Sequence, residues 1–195
     1  MKRIVLSAGL GLAMLVGGCV VLSVYPYYTE KDLTFDPALV GVWVGTDSNK
    51  DASETWTFEK AGDDAYKFSM VSAHETNLFS AHLFKLKDHL FFDFLPLEKH
   101  DSPCLPPHYL MSVTQVQPTL KWQIMDYKWL DKYLMENPKA IRYLEEREPG
   151  DTNRGTFVLT AETKELQQFV LKNLKTEGAF AEPVEMKKME GTNKP

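Results

Sequence analysis

Short runs of apolar and aromatic residues, separated by polar turns, fill the middle of the chain and predict β-strands. In the run 53–60, Trp56 and Phe58 share one face, because successive side chains of a strand point to opposite faces. The runs of this kind are residues 39–46, 53–60, 65–73, 77–86, 89–97, 109–116 and 120–126. Strands repeated about every ten residues predict an antiparallel sandwich or barrel.

Helical periodicity begins only at residue 127. In the segment 127–136 the apolar residues recur at the spacing of one helix face. They are Trp129, Leu130, Tyr133 and Leu134. Pro138 suits the first turn of a second short helix, which we expect to reach residue 147.

The C-terminal part predicts one more strand, a third helix and a last extended piece. Residues 156–159 have the texture of an eighth strand, and Thr160 is a suitable N-cap for the helix that follows. The apolar stripe of this helix consists of Leu166, Phe169, Val170 and Leu174. The extended piece spans residues 180–186 and precedes a polar tail.

The first 18 residues form a different kind of segment. Lys2 and Arg3 precede an uncharged apolar run that is too short for a membrane span of about 20 residues. This arrangement is typical of a secretory signal that is removed. Its removal lowers the basic count from 22 to 20 against 27 acidic residues, so the mature charge is −7. An acidic body argues against a nucleic-acid partner.

Val16-Gly17-Gly18-Cys19 resembles the lipobox of bacterial lipoproteins. The resemblance implies cleavage before Cys19, a diacylglycerol on its thiol, and a membrane anchor. Because Val20 is not Asp, it also implies the outer membrane of a double-membrane bacterium, facing the periplasm or the cell surface. We therefore divide the chain into a signal peptide (1–18), a lipidated tether (19–34), one domain (35–189) and a tail (190–195).

Gly41-Val42-Trp43 resembles the Gly-x-Trp signature of lipocalins. The resemblance implies an antiparallel up-and-down barrel of about eight strands. Together with the helical patterns above, it predicts a mainly β (α+β) fold with two short helices after strand seven and a C-terminal helix. In that family the Trp plugs the closed end. Two features depart from the family: the loop after the first strand has only about six residues, and no basic residue can be assigned to stack on Trp43.

A barrel of this size encloses side chains or one small ligand. The candidate ligand-binding residues inside it are Trp56, Phe58, Tyr66, Phe68, Met70, Leu83 and Phe91. They suit an acyl chain, a sterol-like ligand or an aromatic ligand, and we expect the helices at 127–147 to cover the open mouth. The alternative is that these side chains simply fill the core.

The loop before the sixth strand concentrates possible metal ligands, His100, Asp101, Cys104 and His108. Their spacing fits known zinc patterns poorly, so the pattern favours a Pro-stiffened loop with a buried cysteine. We expect neither a metal nor another cofactor.

No catalytic motif is present, so the sequence favours a non-enzymatic envelope protein that binds a hydrophobic ligand or an envelope partner. One alternative is a hydrolase or lipid-modifying enzyme that uses His82 or His89 with Asp93, the one charged residue in an apolar strand. A second alternative is a purely structural lipoprotein within a larger envelope complex.

Overall fold

A computed structural model of the protein describes residues 20–46, 54–72, 75–97, 106–147 and 155–190. Its strands are β1 (Leu22–Ser23), β2 (Gly41–Gly45), β3 (Thr55–Lys60), β4 (Tyr66–Val71), β5 (Thr76–Leu86), β6 (His89–Pro96), β7 (His108–Gln115), β8 (Thr119–Gln123), β9 (Tyr143–Arg147), β10 (Gly155–Leu159) and β11 (Val184–Lys188). The helices are α1 (Tyr127–Glu136) and α2 (Thr163–Asn173), with 3₁₀ turns at Glu30–Asp32 and Pro37–Leu39.

Eight of these strands form a closed antiparallel barrel. Each strand from β2 to β7 pairs with the next strand in the chain, and β11 lies between β8 and β2. Both helices follow β8 in the chain. This confirms the predicted mainly β fold and its barrel of about eight antiparallel strands.

The other strands extend the sheet beyond the barrel. β1 pairs with the beginning of β7 on one side and with β10 on the other, and β9 pairs with β10. The predicted eighth strand therefore exists as β10, but it lies outside the barrel. The barrel is closed instead by β11, which overlaps the predicted extended piece.

The prediction of a second short helix after Pro138 is wrong. Residues Tyr143–Arg147 form β9, whose five residues pair one to one with β10. In the predicted helix Ile141 and Leu144 would both be buried, whereas Leu144 is 66% exposed in the strand. Pairing with β10 overrides a weak helical period because helix propensity is worth only tenths of a kcal/mol per residue.

Side chains alternate between the two faces of each barrel strand, so the apolar residues form two separate clusters. The interior cluster fills the barrel and consists of Leu39, Trp43, Trp56, Phe58, Tyr66, Phe68, Met70, Phe79, Ala81, Leu83, Phe92, Phe94, Met111, Val113, Leu120, Trp122, Ile124 and Met186. The outer cluster lies outside it and consists of Val21, Tyr27, Phe84, Leu86, Phe91, Leu110, Met125, Tyr127, Leu130, Leu134, Ile141, Phe157, Leu159, Ala161, Leu166, Phe169 and Val170.

The residues before β2 cover part of this outer side. β1 runs beside β7, and Leu33 then forms a bridge to Phe84 on β5. Thr34 donates its backbone N–H to the carbonyl of Leu83 at 2.9 Å. Residues 20–34, predicted as a tether, therefore pack on the barrel.

The residues around Trp43 close one end of the barrel. The Trp43 indole N–H donates to the carbonyl of Leu39 at 2.8 Å. Lys188 Nζ lies 5.6 Å from the centroid of the Trp43 ring and donates to the carbonyl of Ala38 at 2.8 Å. The basic partner of Trp43 that the sequence left unassigned is therefore Lys188.

Gly41 is required at this closed end for two reasons. Its φ of 133° lies in a region that side-chain-bearing residues rarely adopt, and a Cβ would lie 2.7 Å from Lys188 Cε. We expect Gly41→Ala to lower the free energy of unfolding by about 1–3 kcal/mol, because it adds backbone strain and displaces Lys188 from Trp43.

Urea unfolding measures this loss. Gly45→Ala is the matched control on the same strand, since its Cβ meets nothing within 4 Å and its φ is not positive. We expect the control to change stability by at most about 0.5 kcal/mol. Equal effects of the two substitutions would contradict the role of Gly41.

Candidate functional site

The barrel interior contains six of the seven side chains predicted to line it. Trp56, Phe58, Tyr66, Phe68, Met70 and Leu83 all belong to the interior cluster, and each is 3% exposed or less. The predicted interior position is wrong for Phe91. Its side chain lies in the outer cluster and stacks on Phe84, with ring centroids 5.5 Å apart. Its neighbour Phe92 faces the interior instead.

The interior rings contact one another closely. Phe58 stacks on Phe92 with ring centroids 5.2 Å apart, and Phe68 lies 4.8 Å from Phe94. Three methionines complete the cluster, Met70, Met111 and Met186. Methionine is unbranched and flexible, so a core that contains it adapts to changes of shape more readily than a core of branched residues.

Two tryptophans in this interior have unsatisfied donors. Trp56 and Trp122 stack with ring centroids 4.9 Å apart, and the two rings form what we call the Trp pair. Within the described residues, neither buried indole N–H meets an acceptor. An unpaired buried donor costs about 1–3 kcal/mol. Trp43, in the same cluster, has its acceptor in the Leu39 carbonyl.

The Trp pair joins β3 and β8 across the barrel interior. Trp56 is the second residue of β3 and Trp122 is the fourth of five in β8. Trp56 lies directly opposite Trp43 in the pairing of β2 with β3, and Trp122 lies opposite Val113 on β7 and Val184 on β11. Acceptor atoms placed at the edges of the two rings would satisfy these donors in otherwise apolar surroundings.

A second polar site lies on the outer face of the barrel around Asp93. Asp93 Oδ2 accepts the backbone N–H of Tyr27 at 2.8 Å, and Oδ1 lies 2.7 Å from His108 Nδ1. Asp93 is fully buried because the segment around Tyr27 covers it. The carboxylate therefore joins β6, β7 and the N-terminal segment.

His82 lies directly opposite Asp93 in the pairing of β5 with β6. Its ring stacks on Tyr28 at 4.9 Å, and its buried Nδ1 has no partner within the described residues. Burial lowers the pKa of His82, and the charge of Asp93 only partly opposes that shift. Burial and the same charge raise the pKa of Tyr28 to about 12. The cluster therefore favours a neutral His82 beside a neutral Tyr28.

The structure brings His82 beside Asp93 without a hydrogen bond between the two side chains, and it does not bring His89 there. Each Asp93 oxygen already has a hydrogen-bond partner, and the imidazole among them belongs to His108. His89 is four residues along the same strand, about 13 Å away at the rise of a β-strand. The contacts of Asp93 are those of a structural tie between segments.

Of the weak metal-ligand candidates, His100, Asp101 and Cys104 lie outside the described residues, as does the expected lipid-attachment residue Cys19. His108 is described, and its Nδ1 is engaged by Asp93. In the part of the chain that the structure describes, no three His, Cys, Asp or Glu side chains are grouped to hold a metal ion.

Helix α1 does not contribute to the barrel interior. We had expected it to cover the open mouth of the barrel, and it packs on the outer side instead. Its buried residues Tyr127, Leu130 and Leu134 all belong to the outer cluster. Neither α1 nor α2, the α-helices within the described ranges, is long and apolar enough to cross a membrane.

The contacts of Asp93 lead to a test of its role. We expect Asp93→Ala to lower the free energy of unfolding by about 3 kcal/mol, because it leaves the Tyr27 N–H and His108 without their buried acceptor. Hydrogen exchange of residues 20–34 should also become faster, since that segment loses its tie to β6.

Asp63→Ala is the control for this substitution, because the Asp63 side chain is 99% exposed and only approaches Lys60 at 3.8 Å. We expect it to leave both measurements close to those of the unchanged protein. If Asp93→Ala were as mild as the control, Asp93 would not be a structural tie.

No known family model, curated protein or solved structure matches the chain.

Proposed function

We propose that the protein is a lipid-anchored, non-enzymatic barrel of the bacterial cell envelope that binds a small hydrophobic ligand. The ligand lies in the aromatic interior and carries a hydrogen-bond acceptor, such as a carbonyl or carboxylate oxygen. The lipobox-like sequence at Val16–Cys19 supports the location, and the aromatic interior supports an apolar ligand.

The observation that carries the proposal is the pair of unsatisfied indole donors on Trp56 and Trp122. A barrel evolved only to be filled gains nothing from two buried N–H groups without acceptors, since each lowers stability. Ligand oxygens at the edges of the stacked rings, in the plane of each indole, would accept from these N–H groups. The apolar remainder of the ligand would contact the neighbouring aromatic and methionine side chains.

Because the interior rings already touch, the ligand must make room for itself. Met70 lies on β4 directly opposite Trp56, and it is flexible enough to rotate away. We expect binding to separate the Trp pair, so tryptophan fluorescence should report it.

The closed end supports a lipocalin-like barrel as the finer description of the fold. Gly41 and Trp43 supply the signature that suggested it, and Lys188 supplies a cation on the Trp43 ring.

The anchor and the barrel are close together in this proposal. Val20 and Val21 are already buried, at 6% and 4% exposure, and β1 begins at Leu22. A lipid on Cys19 would therefore hold the barrel at the membrane surface without a long spacer, which favours a ligand taken from the lipid bilayer.

Binding of an envelope protein partner is a second candidate, which the outer face of β5 and β6 favours. Leu78 and Leu97 are 36% and 49% exposed, and the Leu97 N–H donates to the Leu78 carbonyl at 2.9 Å. Exposed apolar neighbours of this kind often belong to interaction surfaces. They do not bear on the interior site.

The anchor is tested in bacterial cells that make the full chain. Cys19→Ala should move the protein from the membrane fraction to the soluble fraction, because it removes the thiol that carries the lipid. Cys104→Ala is the matched control and should stay in the membrane fraction. Membrane retention of the Cys19 variant would contradict lipid anchoring.

The interior site is tested with the chain lacking residues 1–19, since both apolar clusters are formed by later residues. Dodecanoate should quench or shift the tryptophan fluorescence. Trp56→Phe and Trp122→Phe should each weaken binding about three- to tenfold, the worth of one hydrogen bond.

Trp129→Phe is the control because Trp129 lies on α1, where it stacks on Tyr133 outside the barrel. It should leave the affinity unchanged. Native mass spectrometry of the same purified chain should also reveal a co-purified lipid. Absence of both a bound lipid and dodecanoate binding would overturn the proposed function.

A further inference from the structure

We infer that a groove beside α2, separate from the barrel interior, binds a molecule with an apolar body and one anionic group. The groove lies between α2 and the chain that leads from α1 into β9, and its volume is about 780 Å³. Pockets for small molecules usually measure about 300–1,000 Å³. It is lined by residues 138–143 on one side and by α2 on the other.

The floor of the groove is apolar. Ile141 and Phe169 are 7% and 5% exposed, and both also belong to the outer cluster, which holds them in place. Tyr143 is half-buried beside them and packs edge-on against Phe157 at 5.6 Å. A hydrocarbon or aromatic group laid on this floor would lose its contact with water.

The rim of the groove is positively charged. Arg142 donates from Nε and from one terminal nitrogen to Glu165 Oε2, both at 3.2 Å, so these two opposite charges compensate each other across the groove. Among the described residues of the lining, the other charged side chains are those of Lys139 and Lys172.

Within the described lining, two positive charges therefore exceed the negative ones, on a chain whose net charge is −5. Lys172 Nζ also lies 3.4 Å from the Tyr133 hydroxyl, which places the ammonium group near α1.

The chemistry of the rim and floor together selects the class of ligand. An ammonium group prefers a carboxylate or a phosphate, and the floor prefers an apolar group attached to it. Gln168 and Thr160 add neutral hydrogen-bonding groups to the lining. A fatty acid and a monoalkyl phosphate share the required chemistry, whereas a neutral amphiphile lacks the anion.

The test uses the chain lacking residues 1–19 and probes with one alkyl tail and different head groups. Octyl phosphate and octanoate should both bind, octyl glucoside should bind at least tenfold more weakly, and inorganic phosphate should not bind measurably. The first two probes distinguish a phosphate from a carboxylate as the better head group. Amide chemical shifts should change in residues 138–143 and along α2.

The double variant Lys139→Gln/Lys172→Gln should weaken octyl phosphate binding about tenfold or more and leave octyl glucoside binding unchanged. Lys128→Gln/Lys132→Gln on α1 removes the same net charge outside the groove and should have little effect. The inference is overturned if the two double variants weaken binding equally or if the shifted amides lie elsewhere.

The barrel site and the groove are distinguished by the tryptophan variants. Trp122→Phe should weaken the fluorescence response to dodecanoate and leave the octyl phosphate shifts around α2 unchanged. Loss of both responses in Trp122→Phe would show that the α2 shifts report the barrel site, which would overturn the groove as a separate site.

Discussion

Strand β6 is buried on both faces, so other parts of the molecule must cover its outer face as well as its inner one. Phe92 and Phe94 point into the barrel, while Phe91 and Asp93 point out of it, and all four are 4% exposed or less. A barrel alone would leave the outward side chains in water. The N-terminal segment, both helices and β10 form a second layer that covers these outward side chains and excludes water from them.

Asp93 makes that second layer specific as well as apolar. Apolar contacts around Phe91 and Phe84 would tolerate small displacements of the covering segment, because the hydrophobic effect is not directional. The hydrogen bond from the Tyr27 N–H to Asp93 restricts such displacements, because a buried carboxylate that loses a partner is strongly disfavoured. The N-terminal segment is therefore fixed in register on β5 and β6, and this register brings Phe35 to stack on Tyr66 at 4.7 Å.

Local sequence patterns predicted the features that depend on alternation alone. The faces of β3 and β4 were correct because Trp56 and Phe58 alternate with polar residues. In β6 apolar residues occupy both faces, so alternation could not decide between Phe91 and Phe92. β9 was mistaken for a helix because its strand partner, β10, comes later in the chain.

The candidate sites depend on contacts that no local pattern encodes. Asp93 and His108 are 15 residues apart and meet because β6 pairs with β7. Lys188 reaches Trp43 because β11 closes the barrel, although the two residues are 145 positions apart. Within the described part of the chain, the lack of an acceptor for the Trp pair is a property of the packed interior, which no local pattern encodes.

The two proposed sites place opposite demands on a ligand. The interior offers unsatisfied donors without open space, so a ligand there gains hydrogen bonds and must rearrange packed rings, which slows its access. The α2 groove offers open space with a solvated rim, so a ligand there needs no rearrangement and gains less from each contact, because exposed charges are screened. A single amphiphile would therefore reach the groove quickly and weakly, and the interior slowly and with longer residence.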